Sequence, residues 1–182
     1  MDNQLVRSIQ TRLTSLESRL GGKDLGLAEW TKQIKLELVQ LCREMEWRPH
    51  CSETSNAEGG GEWLFDFTEI EFNEENYEMR TIYLIVESEW SKNLEDIKYD
   101  FQKLICARSK LRLMIFQGNS TDSIQSTINE LMRLVHAFEF SNKSDEYMFA
   151  CWNNQKGSFE FETRRVDALK LAKSQLQSKG SE

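Results

Sequence analysis

Proline occurs once in 182 residues, at Pro49, and glycine only nine times, three of them together at Gly59-Gly60-Gly61. So sparse a supply excludes collagen-like and linker-rich chains. The four cysteines, Cys42, Cys51, Cys106 and Cys151, form no CxxC pair. That spacing argues against a zinc cluster and fits reduced thiols in a cytoplasmic protein. Apolar runs are short as well. The longest clean one, Ile82 to Val86, is strand-sized and far below the roughly 18 residues of a membrane span. Met1-Asp2-Asn3-Gln4 lacks the basic-then-apolar order of a secretory signal, so no export and no membrane partner are expected. GxSxG, HExxH and Walker sequences are also missing.

What is present is charge and a regular apolar pattern. Acidic residues outnumber basic ones by 30 to 23, a net charge of −7, which discourages a nonspecific nucleic-acid or membrane coat while leaving room for a local basic face. Hydrophobic residues make up 39% of the chain, enough for a core and too many for wholesale disorder. Leu5, Ile9, Leu13, Leu16 and Leu20 share one helical face, ended by Gly21-Gly22. Trp30, Ile34, Leu38, Leu41 and Met45 mark a second helix, stopped by Pro49. The short connection suits an antiparallel pair, and the first stripe equally suits an arm that forms a homodimer through the N-terminal helices.

After Gly61 the period changes to two, with Trp63, Phe65 and Phe67 expected on one side of a strand. Thr81 to Trp90 reads as a second, central strand. Leu94 to Arg108 reads as a helix and Leu111 to Phe116 as a strand. A helix capped by Asp122 and Gln125 follows. Tyr147 to Trp152 and Ser158 to Thr163 form a hairpin, and a last helix runs from about Val166 to Gln177. The expected fold is α/β: a mixed central sheet flanked by helices, with residues 1–24 an N-terminal helical extension and residues 25–182 one domain.

Between Ala57 and Asp100 there are 13 acidic residues against Arg80, Lys92 and Lys98. Three of the thirteen are out of place on a solubility argument. Asp66 lies between Phe65 and Phe67, while Glu87 and Glu89 close an apolar strand and share a face. Like charges so close repel unless a cation neutralises them, and a hard ion such as Mg²⁺ or Mn²⁺ prefers oxygen ligands. The plain alternative is a strand end fraying into solvent. Glu37, beside the second helix's stripe, is a further ligand candidate or an ordinary surface glutamate.

A helix, a strand pair carrying Asp66 and then Glu87-Ser88-Glu89, a crossover helix and a parallel strand together resemble the PD-(D/E)XK nuclease superfamily. The resemblance spans roughly Trp30 to Trp152. More narrowly, Glu62-Trp63-Leu64-Phe65-Asp66, Val86-Glu87-Ser88-Glu89-Trp90 and Asp100-Phe101-Gln102-Lys103-Leu104 look like an uncharacterised family of small bacterial proteins. The resemblance implies a restriction-endonuclease-like core, metal held by Asp66, Glu87 and Glu89, and hydrolysis of DNA phosphodiester bonds. Glu89 stands where the superfamily usually has lysine. Some members carry glutamate there and others recruit a lysine from the next helix, where Lys98 and Lys103 are available. The helical wheel places Lys98 nearer the apolar direction than Lys103.

DNA contacts would fall to Arg108, Lys110 and Arg112 in one basic cluster, and to Arg164, Arg165, Lys170 and Lys173 in another, if these are more than solvated surface. Trp63, Trp90 and Trp152 stack on bases or fill the core. Two function classes follow: a metal-dependent nuclease, or a catalytically silent nuclease-like fold serving as an interaction or oligomerisation module.

Overall fold

A computed structural model describes residues 3–166 apart from 22, 24, 55–60 and 74. The expected last helix, with Lys170 and Lys173, lies outside the described residues. The elements run α1 (Asn3–Leu20), α2 (Leu27–Glu44), β1 (Arg48–Cys51), β2 (Phe67–Phe72), β3 (Met79–Glu89), α3 (Leu94–Cys106), β4 (Leu111–Gly118), α4 (Thr121–Ala137), β5 (Glu146–Asn153) and β6 (Ser158–Arg165). The six strands form one open sheet in chain order, β1 to β6. β3, β4 and β5 are parallel neighbours and the outer pairings are antiparallel. The protein is therefore α/β with a mixed sheet and, among the described residues, four helices. None of these helices is long and apolar enough to cross a membrane.

Each parallel step needs a crossover, which α3 and α4 supply. Both helices pack on one sheet face, where Phe101, Leu104, Ile128 and Leu131 meet Ile85, Met114 and Phe149. The other face is covered by α1 and α2, which bury Leu13, Leu16 and Leu38 against Phe67, Val86, Leu113 and Met148. Buried on both sides, β4 is apolar from Leu111 to Phe116 except at Arg112.

Several expectations change here. Leu5, Ile9, Leu13 and Leu16 are buried in the chain's own core, so the stripe offered for a homodimer is already covered. Arg12 reaches Glu37 and Glu44, and Arg19 reaches Glu37, tying α1 to α2. Pro49 does more than stop a helix: it lies in β1, an edge strand, where a missing N–H is tolerated. Residues 63–66 do not belong to β2, and Leu64 adopts φ 67°. That turn reverses the alternation, sending Phe65 to the α3–α4 core and Phe67 to the α1–α2 core. The cap of α4 is Ser120, whose hydroxyl accepts from the Ser123 N–H while the Ser123 hydroxyl accepts from the Ser120 N–H; Asp122 lies one residue inside the helix. Gly118 is required at the turn into α4, because an added Cβ would lie 2.5 Å from Ile124 Cγ1.

Candidate active site

The antiparallel register of β2 and β3 pairs Phe67 with Val86, which sets Asp66 beside Glu87 and Ser88 where the ladder ends. There the Asp66 side chain serves Ser88. Its Oδ2 accepts from the Ser88 N–H at 2.9 Å and from the Ser88 hydroxyl at 2.8 Å. Lys35 Nζ, from α2, lies 3.7 Å from Asp66 Oδ1 and 2.7 Å from Glu62 Oε1. Lys35 is itself buried at 7% exposure. Burial alone would lower its pKa, yet Glu62 and Asp66 outweigh that and hold it above the ordinary value.

Glu87 lies one pleat from Val86 and so faces the α3 layer. It is 2% exposed. Lys103 Nζ donates to its Oε2 at 2.9 Å and also contacts Asp100 Oδ1 at 2.9 Å. Oε1 of Glu87 is buried with no hydrogen-bond partner among the described residues. Burial pushes the Glu87 carboxyl up to about 7, against the lowering by Lys103 and with further raising by Asp66 and Asp100. Lys103 is held protonated, because Asp100 and Glu87 overcome the lowering that its burial causes.

Other expected residues go elsewhere. Glu89 is half-buried and accepts the Ser91 N–H at 2.6 Å. Lys98 pairs with Glu95 on its own helix at 2.8 Å. It is Lys103 that reaches Glu87, although the wheel favoured Lys98. The wheel ignores direction along the axis: helical side chains lean toward the N-terminus, and the N-terminus of α3 follows directly on the end of β3. Glu37 belongs to the α1–α2 ion pairs and not to this site.

Of the cations expected on DNA, Arg112 is buried at 2% and spent internally. Its guanidinium donates to the carbonyls of Leu104 and Ala107 and to Asp145. It closes the C-terminal end of α3 and has no free face for a phosphate. Arg164 pairs with Glu162, and Arg165 lies 3.4 Å from Glu146. Arg108 and Lys110 are exposed. Trp90 donates to the Thr31 hydroxyl, and Trp152 packs on Trp30 and Phe159. Trp63 remains partly open to solvent.

The assembled site is thus two carboxylates, Asp66 and Glu87, each approached by a lysine, Lys35 from one helical layer and Lys103 from the other. Among the described residues no three His, Cys, Asp or Glu side chains converge as a metal site. Mg²⁺ does not need three, because it commonly binds through one or two carboxylates and completes its shell with water and phosphate. Of the two acids here, Glu87 keeps its unpartnered Oε1 on the α3 side, while Asp66 is turned to Ser88 and Lys35 on the α1–α2 side. Searches for a matching family model, curated protein or solved structure found none.

Proposed function

We propose that this chain is a divalent-metal-dependent nuclease on a restriction-endonuclease-like core, hydrolysing DNA phosphodiester bonds at Asp66 and Glu87. The observation that carries the reading is Glu87, a carboxylate 2% exposed with one oxygen unpartnered, near enough to Asp66 for that second acid to raise its pKa. The order α2, β2–β3, α3, β4 also supports it, being the helix, strand pair, crossover helix and parallel strand of the resemblance.

Asp66 and Glu87 would hold Mg²⁺ or Mn²⁺, while Glu89, turned to the Ser91 N–H, stays outside the ligand set. A bound ion of this type neutralises phosphate charge and acidifies water. Lys103 supplies the cation that the superfamily usually places where Glu89 stands. Its ammonium, held protonated beside Glu87, faces the charge that grows on a phosphate in hydrolysis. Lys35 fixes Asp66 through its carboxylate and keeps Oδ2 turned to Ser88.

A second reading has one observation in its favour. Lys103 and Lys35 already balance both acids, as a silent fold would need.

One set of measurements separates the two. Mg²⁺ or Mn²⁺ should raise the melting temperature, by an amount equivalent to about 2.7 kcal/mol at a hundred times the dissociation constant. Asp66→Asn and Glu87→Gln should abolish both that gain and cleavage of single- and double-stranded DNA. Lys103→Met should keep the metal-induced gain and lose cleavage. A melting temperature indifferent to both ions, with no cleavage, leaves the silent module as the function.

A further inference from the structure

The opposite end of the sheet carries a second concavity that the acid pair does not use. Its volume is about 740 Å³, within the range of ligand sites. Leu5, Met45, Trp47, Ile82 and Tyr83 contribute its apolar wall, and Arg80, Arg108 and Lys110 its charge. Tyr83 lies four residues before Glu87 on β3 and Arg80 seven, which is roughly 13 and 23 Å of strand. The two sites are therefore separate.

Three features of this hollow go together. The first is a flat aromatic pair: Trp47 and Tyr83 stack with centroids 4.5 Å apart and planes 9° from parallel, and both residues line the hollow. The second is unbalanced positive charge in a chain of net charge −7. Asp145 is the acid in the lining, and it is committed to the buried Arg112. Arg80 touches Glu71 only at 3.7 Å. Arg108 and Lys110 have no ion pair among the described residues. The third is rigidity where the cations are displayed. Residues 107–110 form the turn from α3 into β4, and Arg112 grips the carbonyls of Leu104, Ala107 and Ser109 from beneath. The Ser109 hydroxyl donates to the Leu111 carbonyl, and the Lys110 N–H donates to Ile82 across the sheet. A turn pinned in this way holds its two cations in place before any ligand arrives, which reduces the ordering cost of binding.

An aromatic platform beside clustered cations suits a ligand with a flat ring and a phosphate on one molecule. We propose that this hollow binds a nucleotide, its base on the Trp47–Tyr83 stack and its phosphate on Arg108, Lys110 and Arg80. A free nucleotide and the phosphorylated end of a nucleic-acid strand share that chemistry. The site does not depend on the metal-dependent reading of Asp66 and Glu87.

Isothermal titration calorimetry in EDTA tests it, since the chelator removes any part played by a metal at the acid pair. The probes are adenosine monophosphate, adenosine, inorganic phosphate and a short 5′-phosphorylated oligothymidylate. Adenosine monophosphate should bind at least about tenfold more tightly than adenosine or phosphate alone, because only it engages both the stack and the cations. Arg108→Glu with Lys110→Glu, both on the surface, should weaken it about tenfold or more, and added salt should weaken it in the same direction. Trp47→Ala should cost about tenfold, the scale of one base–aromatic stack. The oligonucleotide then identifies the source: binding alongside the monophosphate indicates a strand end, and exclusion of it a free nucleotide. Phosphate binding as tightly as the monophosphate, binding of the oligonucleotide alone, or binding untouched by the double charge reversal overturns the proposal.

Discussion

Glu69 shows at the scale of one residue what this chain tolerates outside its candidate site. It is fully buried in β2, paired with Leu84 and so facing the α1–α2 layer, and neither carboxyl oxygen has a partner among the described residues. Burial, aided by the Glu71 charge, pushes its carboxyl from 4.5 up to about 9. A raised carboxyl pKa means the folded state disfavours the ionised form. Stability from this group is thus complete below the ordinary value and drains as the pH climbs toward 9. At pH 7 the folded chain keeps a proton that the unfolded chain has released, which costs at most about 3 kcal/mol. Glu69→Gln should remove that slope. Urea midpoints for the variant and the parent should agree near pH 4 and separate steadily up to pH 9, the variant being the more stable. Glu87 titrates in the same direction but only up to about 7, and it is common to both proteins, so the gap between the two curves belongs to Glu69. Parallel midpoint curves would show the Glu69 carboxyl to be solvated.

Arg112 makes the argument for a whole element. One guanidinium gathers the carbonyls at the end of α3 and joins them to Asp145, just ahead of β5. Its planar fork serves several acceptors at once, which a lysine ammonium cannot match in geometry. Arg112→Lys should therefore behave nearly as badly as Arg112→Ala. Removing one side of a buried ion pair costs roughly 3–5 kcal/mol. Hydrogen exchange should localise the damage to the last turn of α3 and the start of β4, and rescue by lysine would rule out the bidentate role.

The same residue shows where sequence reading stops. Both N-terminal helices, α3, β4, α4 and the closing hairpin were legible from apolar spacing, because that spacing records which face is buried. β1 was not, since four residues around a proline read as a helix stop. Arg112, flanked by Leu111 and Leu113, reads with Arg108 and Lys110 as one of a basic cluster; only its position on a doubly covered strand reveals otherwise. Asp66 and Glu87 were visible as acids in apolar company. Their lysines were harder: Lys103 depends on side-chain direction along α3, and Lys35 on how α2 crosses the sheet. The one signal for Lys35 was a charge next to Ile34 on the apolar side of its helix.

On the scale of the whole molecule, the sheet order equals the chain order, so every strand pairs with its neighbour in sequence. Contacts of that kind close short loops and form early. α1 is the exception. Its Leu5-to-Leu16 stripe packs in the same core as Phe159, and Glu17 accepts the Phe159 N–H at 2.8 Å across 142 residues. Pulse-labelled hydrogen exchange during refolding should find Phe159 protected after the amides of β3 and β4. Simultaneous protection would mean that the long loop closes in the same step as the sheet. The lag has a counterpart in synthesis. Of the described elements, α1 leaves the ribosome before the others, and its docking surface is completed last, by β6. Until then its leucine face is sheltered only by α2 and the strands already made, and nascent α1 keeps greasy surface on offer to a chaperone.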